Sequence, residues 1–168
     1  MLNLPLPANN GRGSDEVSIQ EETNKPTSQR RAAILFGLAA LVSLIGLGDA
    51  IYLTVEHLSG RSVRCTIVHG CSEVLSSPYA TVKGFPLAGV GALAYFVVFS
   101  GATLAAFGYK VAGKFALLLS SLMFLFTLWL VYLQAFVIKA FCQFCLLSAL
   151  VTTVMTVLLV MANRTRAH

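Results

Sequence analysis

The chain has 168 residues, of which 57% are apolar and only 11% are charged, whereas about 25% of the residues in a typical soluble domain are charged. This composition excludes an ordinary soluble globular protein, and the length allows one compact unit rather than a membrane core plus a second full-sized domain. The net charge of +5 does not indicate nucleic-acid binding, because no cluster of basic residues is interleaved with aromatic residues.

The N-terminal residues 1–29 contain most of the clustered polar and acidic sequence and few large apolar side chains. A segment of this composition cannot bury enough apolar surface to compensate for the entropy lost on ordering. We therefore predict a disordered tail over residues 1–29, with a partner-binding arm as the alternative.

Four long apolar stretches follow this tail, three without any charged residue and the first interrupted only by Asp49. Each is long enough for a membrane-spanning helix, which needs about 20 mainly apolar residues. The pattern predicts an all-α integral membrane protein in which residues 30–163 form a four-helix bundle. The predicted helices cover about residues 32–55, 86–108, 115–137 and 141–161.

The distribution of Lys and Arg predicts the orientation of this bundle. Four crossings place both termini on one side of the membrane, and that side carries eight basic residues against four on the other. Because cytoplasmic segments are enriched in Lys and Arg, we predict a multi-pass protein of the inner (plasma) membrane with both termini in the cytoplasm, including the tail of residues 164–168. The loop of residues 56–85 then faces outward.

This outer loop contains Cys65 and Cys71, separated by five residues. Ser72 and Glu73, followed by apolar residues, are typical of a helix start, and Pro78 would end that helix. We therefore predict a short half-helix in the loop, next to a cysteine pair that a soluble partner can reach.

A second cysteine pair lies in Cys142-Gln143-Phe144-Cys145, at the predicted start of the fourth helix. At positions i and i+3, both sulfur atoms lie on one helical face within disulfide range. The helix N-terminus, with Lys139 nearby, favours a thiolate at Cys142, and Cys145 lies deeper, where an apolar cofactor can meet it. Two dithiols at one membrane face predict a redox relay.

Other interpretations of the four cysteines remain open. They could form two static disulfides, although a Cys-x-x-Cys at a helix N-terminus makes a strained, oxidising bridge. They could bind zinc together with His69, although zinc ligands usually come in pairs spaced by two to four residues. A small membrane transporter or metal-binding protein that uses the four cysteines as ligands is therefore the alternative function.

Several motifs between residues 48 and 160 together carry a resemblance to a known family. They are Tyr52-Leu53-Thr54, then Cys65 with Gly70-Cys71-Ser72-Glu73-Val74-Leu75-Ser76-Ser77-Pro78-Tyr79-Ala80, then Gly84-Phe85-Pro86-Leu87-Ala88, and finally Tyr132-Leu133-Gln134 and Phe141-Cys142-Gln143-Phe144-Cys145. In this combination the chain resembles the vitamin K epoxide reductase family, and in particular its bacterial disulfide-forming branch. Ala149 stands where the animal enzymes place a tyrosine, which argues against vitamin K epoxide reduction.

The resemblance implies a four-helix bundle around a quinone, menaquinone or ubiquinone, and no metal. It implies that Cys65 exchanges with a thioredoxin-like protein outside the cytoplasm, that Cys71 attacks Cys142, and that Cys145 then passes electrons to the quinone. Some bacterial members carry a fused thioredoxin-like domain that this sequence lacks, so the expected partner is a separate protein. The implied function is a membrane thiol-disulfide oxidoreductase that supports disulfide formation in exported proteins.

Two further residues are candidates for quinone binding. Ser77 looks like the family's serine beside the active site, with a turn or capping residue as the alternative. Asp49 is the acid within a predicted span, and such residues are costly enough to suggest function. It could donate to a quinone oxygen or move protons, or it could reach water near the outer boundary. We expect Gly46, Gly48, Gly89 and Gly91 to allow close helix approach rather than to bind a ligand.

Overall fold

A computed structural model describes residues 12–59, 81–82 and 85–167 of the chain. In this part of the chain, four long helices form a bundle, which confirms the predicted fold class. They are α1 (Arg12–Leu58), α2 (Leu87–Ala106), α3 (Lys110–Tyr132) and α4 (Gln143–Ala167), and a short π-helix (Leu133–Ile138) continues α3.

All four helices contain a segment that is long and apolar enough to cross a membrane. These segments are Thr27–Leu58, Leu87–Ala106, Lys110–Ile138 and Gln143–Ala167, with mean hydropathy between 1.8 and 2.4. Large apolar side chains remain exposed along every helix, among them Ile45, Leu93, Leu125 and Val157. A helix that is apolar on its outer side as well as its inner side is typical of a membrane bundle.

The observed helices extend past the predicted bounds at several ends. Helix α1 begins at Arg12, inside the tail predicted to be disordered, and α3 and α4 include the flanking Lys110 and Arg166. The prediction ended each span at its charged residues, whereas backbone hydrogen bonds continue beyond the apolar layer. The predicted half-helix lies in residues 60–80, outside the described residues, and its existence stays a prediction.

Short connections hold neighbouring helices antiparallel. Between α2 and α3, Gly108 adopts φ of 107°, a conformation that side chains other than glycine rarely tolerate. After the π-helix, Lys139 adopts φ of 53° and ψ of 30°, which turns the chain toward α4 at the predicted outer turn. Two-residue strands, Thr81–Val82 (β1) and Phe85–Pro86 (β2), pair antiparallel just before α2.

Small side chains dominate the buried core, so the helix backbones approach closely. Helix α1 packs against α2 and α4, and α3 packs against the same two helices on the other side. Buried alanines of all four helices line these contacts, and the larger buried side chains fill the remaining space. The larger ones include Phe36, Tyr95, Val98, Met155 and Leu159. Small residues at helix contacts are how membrane helices gain packing without help from the hydrophobic effect.

The end of the bundle that carries the termini is held by polar contacts. Arg166 donates from Nη2 to the carbonyl oxygen of Ala105 at 2.6 Å, and its guanidinium lies 4.7 Å from the ring centre of Phe36. Asn163 donates to the carbonyl oxygen of Gly113 at 3.2 Å. These contacts tie α4 to α1, α2 and α3. They fix the position of α4 relative to the other helices, including its first turn at the opposite end of the bundle.

Gly46 is the position where close helix approach requires glycine. A Cβ atom there would lie 2.6 Å from Cζ of Tyr95 on α2, too close for any real contact. Gly89 has ordinary packing against Thr54 at 3.6 Å, whereas Gly48 and Gly91 have nothing within 4 Å. The expectation for the four glycines therefore holds for Gly46 and Gly89 and is wrong for the other two.

Gly46→Ala is expected to lower the free energy of unfolding by about 1–3 kcal/mol, because the added methyl group must displace the Tyr95 ring in a packed core. The matched control is Gly48→Ala on the same helix, which gains helix propensity and meets no neighbour. Thermal unfolding in detergent micelles measures both variants. Equal stability of the two would contradict the packing at Gly46.

Candidate functional site

The fourth helix begins with Cys142 in the capping position. The carbonyl oxygen of Cys142 accepts the N–H of Leu146 at 3.0 Å, the first bond of the helical ladder. Its own N–H donates to Oε1 of Gln134 at 3.1 Å, and the whole residue is buried. Helix starts leave backbone N–H groups without partners, so Gln134 satisfies a donor that would otherwise be orphaned.

The π-helix provides the position of Gln134. Leu133 and Gln134 are its buried residues, whereas Phe136 and Val137 lie on its exposed side. Single-turn π-helices are rare and occur frequently at functional sites. Here the wider turn and Lys139 bring the chain back, so that Gln134 and Cys142, eight residues apart, meet at the mouth of the bundle.

Cys142 and Cys145 are both free thiols in this structure. A hydrogen bond from the Cys145 side chain, opposed by burial and assisted by backbone N–H groups of Cys145 and Phe144, lowers the pKa of Cys142 to about 7. The lowered pKa of Cys142 was expected from the helix N-terminus, but its largest cause is the neighbouring thiol, and Lys139 is not among the causes. Cys142 is therefore the better nucleophile near neutral pH.

The end of α1 packs over this cysteine pair. Leu53, Ala140 and Cys142 form a small buried cluster, with Cys145 at its edge. The ring of Tyr52 lies 5.3 Å from that of Phe144, the residue between the two cysteines. These contacts shield Cys142 from water and fix the first turn of α4 against α1.

A cavity of about 330 Å³ lies beside the cysteine pair, between the four helices. Most of its wall is apolar, and its polar side chains come from every helix. Cys145 lines the cavity, whereas Cys142 does not. The lining residues are Asp49, Ala50, Leu53, His57, Pro86, Leu87, Ala88, Val90, Gly91, Ala94, Tyr95, Leu119, Leu122, Met123, Phe126, Thr127, Leu130, Val131, Leu133, Gln134, Ile138, Cys145, Ser148 and Thr152.

A hydroxyl network closes the inner side of this cavity. The Thr152 hydroxyl oxygen lies 2.8 Å from the carbonyl oxygen of Ser148, to which it donates, and 2.7 Å from the Tyr95 hydroxyl oxygen, with which it shares a hydrogen bond. Ser148 Oγ lies 2.8 Å from the same Tyr95 oxygen. Tyr95 and Thr152 are almost fully buried, and their bond joins α2 to α4 directly beneath the cysteine pair.

Asp49 faces this cavity from α1. Its Oδ2 atom is buried and has no hydrogen-bond partner within the described part of the chain. Leu53 and His57 follow one and two helical turns later on the same wall. Buried polar atoms are nearly always paired, so an orphaned carboxyl oxygen in an apolar cavity indicates a ligand or a transferred proton.

The cavity fits a quinone head group. Its volume is at the lower end of the range of ligand pockets, its wall is mainly apolar, and a few polar side chains converge in it. A quinone ring is flat and apolar with two carbonyl oxygens, which need hydrogen-bond donors. The Cys145 thiol is a donor of that kind, and so is the Asp49 carboxyl group whenever it carries a proton.

The structure brings part of the predicted site together. Asp49 and Cys145 share the cavity, and Cys142 lies beside it. The loop residues Cys65, Cys71 and Ser77 lie outside the described residues, as does His69 of the alternative zinc site. Within the described residues, no group of three His, Cys, Asp or Glu side chains could hold a metal ion.

Sequence reasoning missed several polar residues of the cavity. His57 falls in the predicted outer loop of residues 56–85, but it lies in the last turn of α1 and lines the cavity. Tyr95, Ser148 and Thr152 stand in apolar stretches without any spacing that sets them apart. Gln134 belonged to a quoted motif, but only the bond to Cys142 gives it a role.

Comparison with protein-family models identifies a matching family. Residues 38–160 match the family model of the vitamin K epoxide reductase family. The matched region contains every residue that lines the cavity, and both cysteines of the fourth helix. It begins within α1 and ends within α4, so it covers the bundle with the outer loop.

Proposed function

The chain belongs to the vitamin K epoxide reductase family, and on that premise we propose that it oxidises a thioredoxin-like protein outside the cytoplasm and passes the electrons through two cysteine pairs to a membrane quinone. Membership makes the chain a membrane thiol-disulfide oxidoreductase linked to quinone. The partner, the electron path and the site residues are the proposed part. Downstream, the reaction would supply disulfides to exported proteins.

The observation that carries this proposal is the place of Cys145. It is the one cysteine of the described residues that lines the apolar cavity, while its partner Cys142 lies just outside. In a dithiol with one sulfur lining an apolar pocket and the other outside it, one sulfur can meet an apolar oxidant while the other is left to exchange with a thiol.

The first half of the proposed reaction takes place in the outer loop. A partner thiolate attacks the disulfide between Cys65 and Cys71 at Cys65, and the partner leaves as a disulfide while both loop cysteines become thiols. The Cys71 thiolate then attacks the disulfide of the fourth helix at Cys142, which releases Cys145 as a thiolate. Cys65 attacks Cys71 in turn and frees Cys142, so one dithiol has been exchanged for another.

The second half takes place at the cavity. The chemistry that a bound quinone supplies is the uptake of two electrons and two protons. Cys142 and Cys145 lose those electrons and protons and form their disulfide again. Asp49 would hold one proton at Oδ2, the atom without a partner, and Ser77 would help to hold the ring as the family's serine does.

The proposed orientation rests on charge. Within the described residues, the side of the bundle that carries the termini has eight Lys and Arg, whereas the cysteine end has Lys139. Six of the eight lie close to the apolar spans, namely Arg30, Arg31, Lys110, Lys114, Arg164 and Arg166, and Arg12 and Lys25 lie further out. The positive-inside tendency then puts the termini in the cytoplasm and the cysteines at the outer face of the inner (plasma) membrane.

Quinone-dependent thiol oxidation tests this function. The protein is reduced with dithiothreitol, desalted in lipid nanodiscs, and mixed without oxygen with short-chain ubiquinone or short-chain menaquinone. We expect two thiols to be lost for each quinone reduced, measured by maleimide labelling and quinone absorbance. Thiols that stay reduced with both quinones would refute the proposal.

Orientation is a second arm of the same experiment. A reduced thioredoxin-like protein is added to sealed right-side-out and inside-out membrane vesicles. We expect its oxidation only in the right-side-out vesicles, because the loop cysteines face outward. Oxidation only in the inside-out vesicles would reverse the proposed topology while leaving the chemistry intact.

A further inference from the structure

Gln134 is a buried carboxamide placed between the cavity and the cysteine pair. Its exposed fraction is 3%, it lines the cavity, and its oxygen accepts the N–H of Cys142 at 3.1 Å. Because a backbone N–H can only donate, the atom that faces Cys142 must be the oxygen. The orientation of the side chain is therefore fixed by chemistry.

The other end of this carboxamide is the Nε2 amide group. Within the described part of the chain, Nε2 of Gln134 donates to no hydrogen-bond acceptor. Its two N–H groups belong to a side chain in the cavity wall, where the remaining surface is mostly apolar. Amide donors beside an apolar pocket provide the orientation and specificity of ligand sites of this kind.

We propose that Gln134 is a positioning residue that links the quinone cavity to the thiol pair. Its oxygen holds the backbone of Cys142 at the start of α4, and its Nε2 group donates a hydrogen bond to an oxygen of the bound quinone. The inference rests on the proposed function, because it places a quinone in this cavity. One side chain then positions both the quinone and the first turn of α4, the helix that carries the thiols from which the quinone takes its electrons.

The π-helix explains why the chain can place the polar side chain of Gln134 in the cavity wall. Its inward residues are Leu133 and Gln134, and Lys139 in the left-handed conformation ends it one residue after Ile138. Irregular backbone at membrane depth is tolerated only where it is buried or lines a cavity. The irregular turn next to the cavity is thus consistent with a functional role for the residue that it turns inward.

Two substitutions separate the two ends of the side chain. Gln134→Met keeps the length but loses the acceptor and the donors. Gln134→Glu keeps an acceptor oxygen for Cys142 in either protonation state, and keeps a donor toward the cavity only while the carboxyl is protonated. The matched control is Gln29→Met, at an exposed position of α1 near the opposite end of the bundle.

The equilibrium between dithiol and disulfide at Cys142 and Cys145 tests the role of the Gln134 side-chain oxygen. It is measured in quinone-free protein by thiol trapping in glutathione buffers. The structure shows the bond between Gln134 and Cys142 with both thiols free. We expect this bond to favour the dithiol form, so its loss in Gln134→Met should shift the equilibrium about fivefold toward the disulfide. Gln134→Glu and Gln29→Met should stay within twofold of the wild type.

The KM for a short-chain quinone tests the role of the Gln134 Nε2 group. Gln134→Met should raise this KM about tenfold at every pH, because the lost donor cannot be replaced. In Gln134→Glu the KM relative to the wild type should rise with pH, as the carboxyl loses the proton that it donates. A merely structural role for Gln134 would give no such pH profile.

The outcomes distinguish this inference from the proposed function. Quinone reduction by the wild type, with an unchanged equilibrium and KM in Gln134→Met, would overturn the role of Gln134 and leave the function standing. A wild type that reduces no quinone would overturn the function, and the ligand half of this inference with it. If Gln134→Met does not fold, a flat KM ratio in Gln134→Glu at all pH values overturns the donor role.

Discussion

Cys145→Ala is expected to abolish quinone reduction, lowering its rate to the background of the uncatalysed reaction. Two electrons leave this site only when two sulfur atoms join in one disulfide, and alanine removes one of them. Because Cys145 is the sulfur that lines the cavity, Cys142 alone has no apolar oxidant beside it. Reduction of short-chain quinone by dithiothreitol-treated protein measures the loss.

The same variant is expected to accumulate a bond between the two cysteine pairs. When the loop disulfide is present, the Cys142 thiolate attacks it at Cys71 and releases Cys65, and without Cys145 nothing inside the fourth helix resolves the product. Cys145 provides the largest contribution to the lowered pKa of Cys142, so its removal raises that pKa and the attack should need a higher pH. Peptide mass analysis after alkylation detects the linked Cys71 and Cys142 peptides.

Thr153→Val is the matched control on the same helix. The Thr153 hydroxyl bonds only to the backbone of its own helix, faces outward, and does not line the cavity. It should leave both the quinone rate and the thiol pattern unchanged. Persistent quinone reduction in Cys145→Ala, or the absence of any Cys71 and Cys142 linkage at high pH, would refute the proposed relay.

Asp49→Asn is expected to lower kcat for quinone reduction by about 100-fold, the size typical of a lost general acid or base. The amide keeps the shape of the carboxyl but cannot take up and release a proton at Oδ2, the buried oxygen without a partner. The KM should change much less, since the apolar wall that surrounds the ligand stays intact. Steady-state kinetics with short-chain quinone in nanodiscs give both constants.

Glu56→Gln is the control for Asp49→Asn. Glu56 lies on the same helix and undergoes the same acid-to-amide change, but it does not line the cavity. Its kcat should stay within twofold of the wild type. A second readout separates proton transfer from structural damage: thiol oxidation by a soluble disulfide should proceed normally in Asp49→Asn. Equal kcat values for the two variants would show that Asp49 does not transfer a proton during quinone reduction.

Part of the site could be predicted because it depends on interactions between residues that are close together in the sequence. Cys142 and Cys145 lie three residues apart at a helix start, and an N-terminus affects a thiol within its first turn wherever the helix lies. The acid at Asp49 was conspicuous because a charge inside an apolar stretch is costly by itself. Cys145, predicted to lie deeper than Cys142, lines the cavity, and its contact with a cofactor stays a prediction.

Other parts of the site involve contacts that no spacing reveals. The bond from Cys142 to Gln134 depends on a π-helix, which the apolar pattern of the third span does not predict. The contacts of Tyr95 with Ser148 and Thr152 join residues more than 50 positions apart. The predicted outer loop includes His57 because the prediction ends the first helix just before Glu56, whereas α1 continues to Leu58.

The sequence by itself determined the membrane character, the number of helices and the position of the Cys142 and Cys145 pair at the start of a helix, because each depends on neighbours along the chain. Tertiary structure alone decided which side chains face one another. When a helix is apolar on all sides, its sequence does not show which side faces the bundle interior. The rotation of each helix about its axis is then set by packing, for example by the close contact of Gly46 with the ring of Tyr95. That rotation turns Asp49, Gln134 and Cys145, from three different segments, toward one cavity.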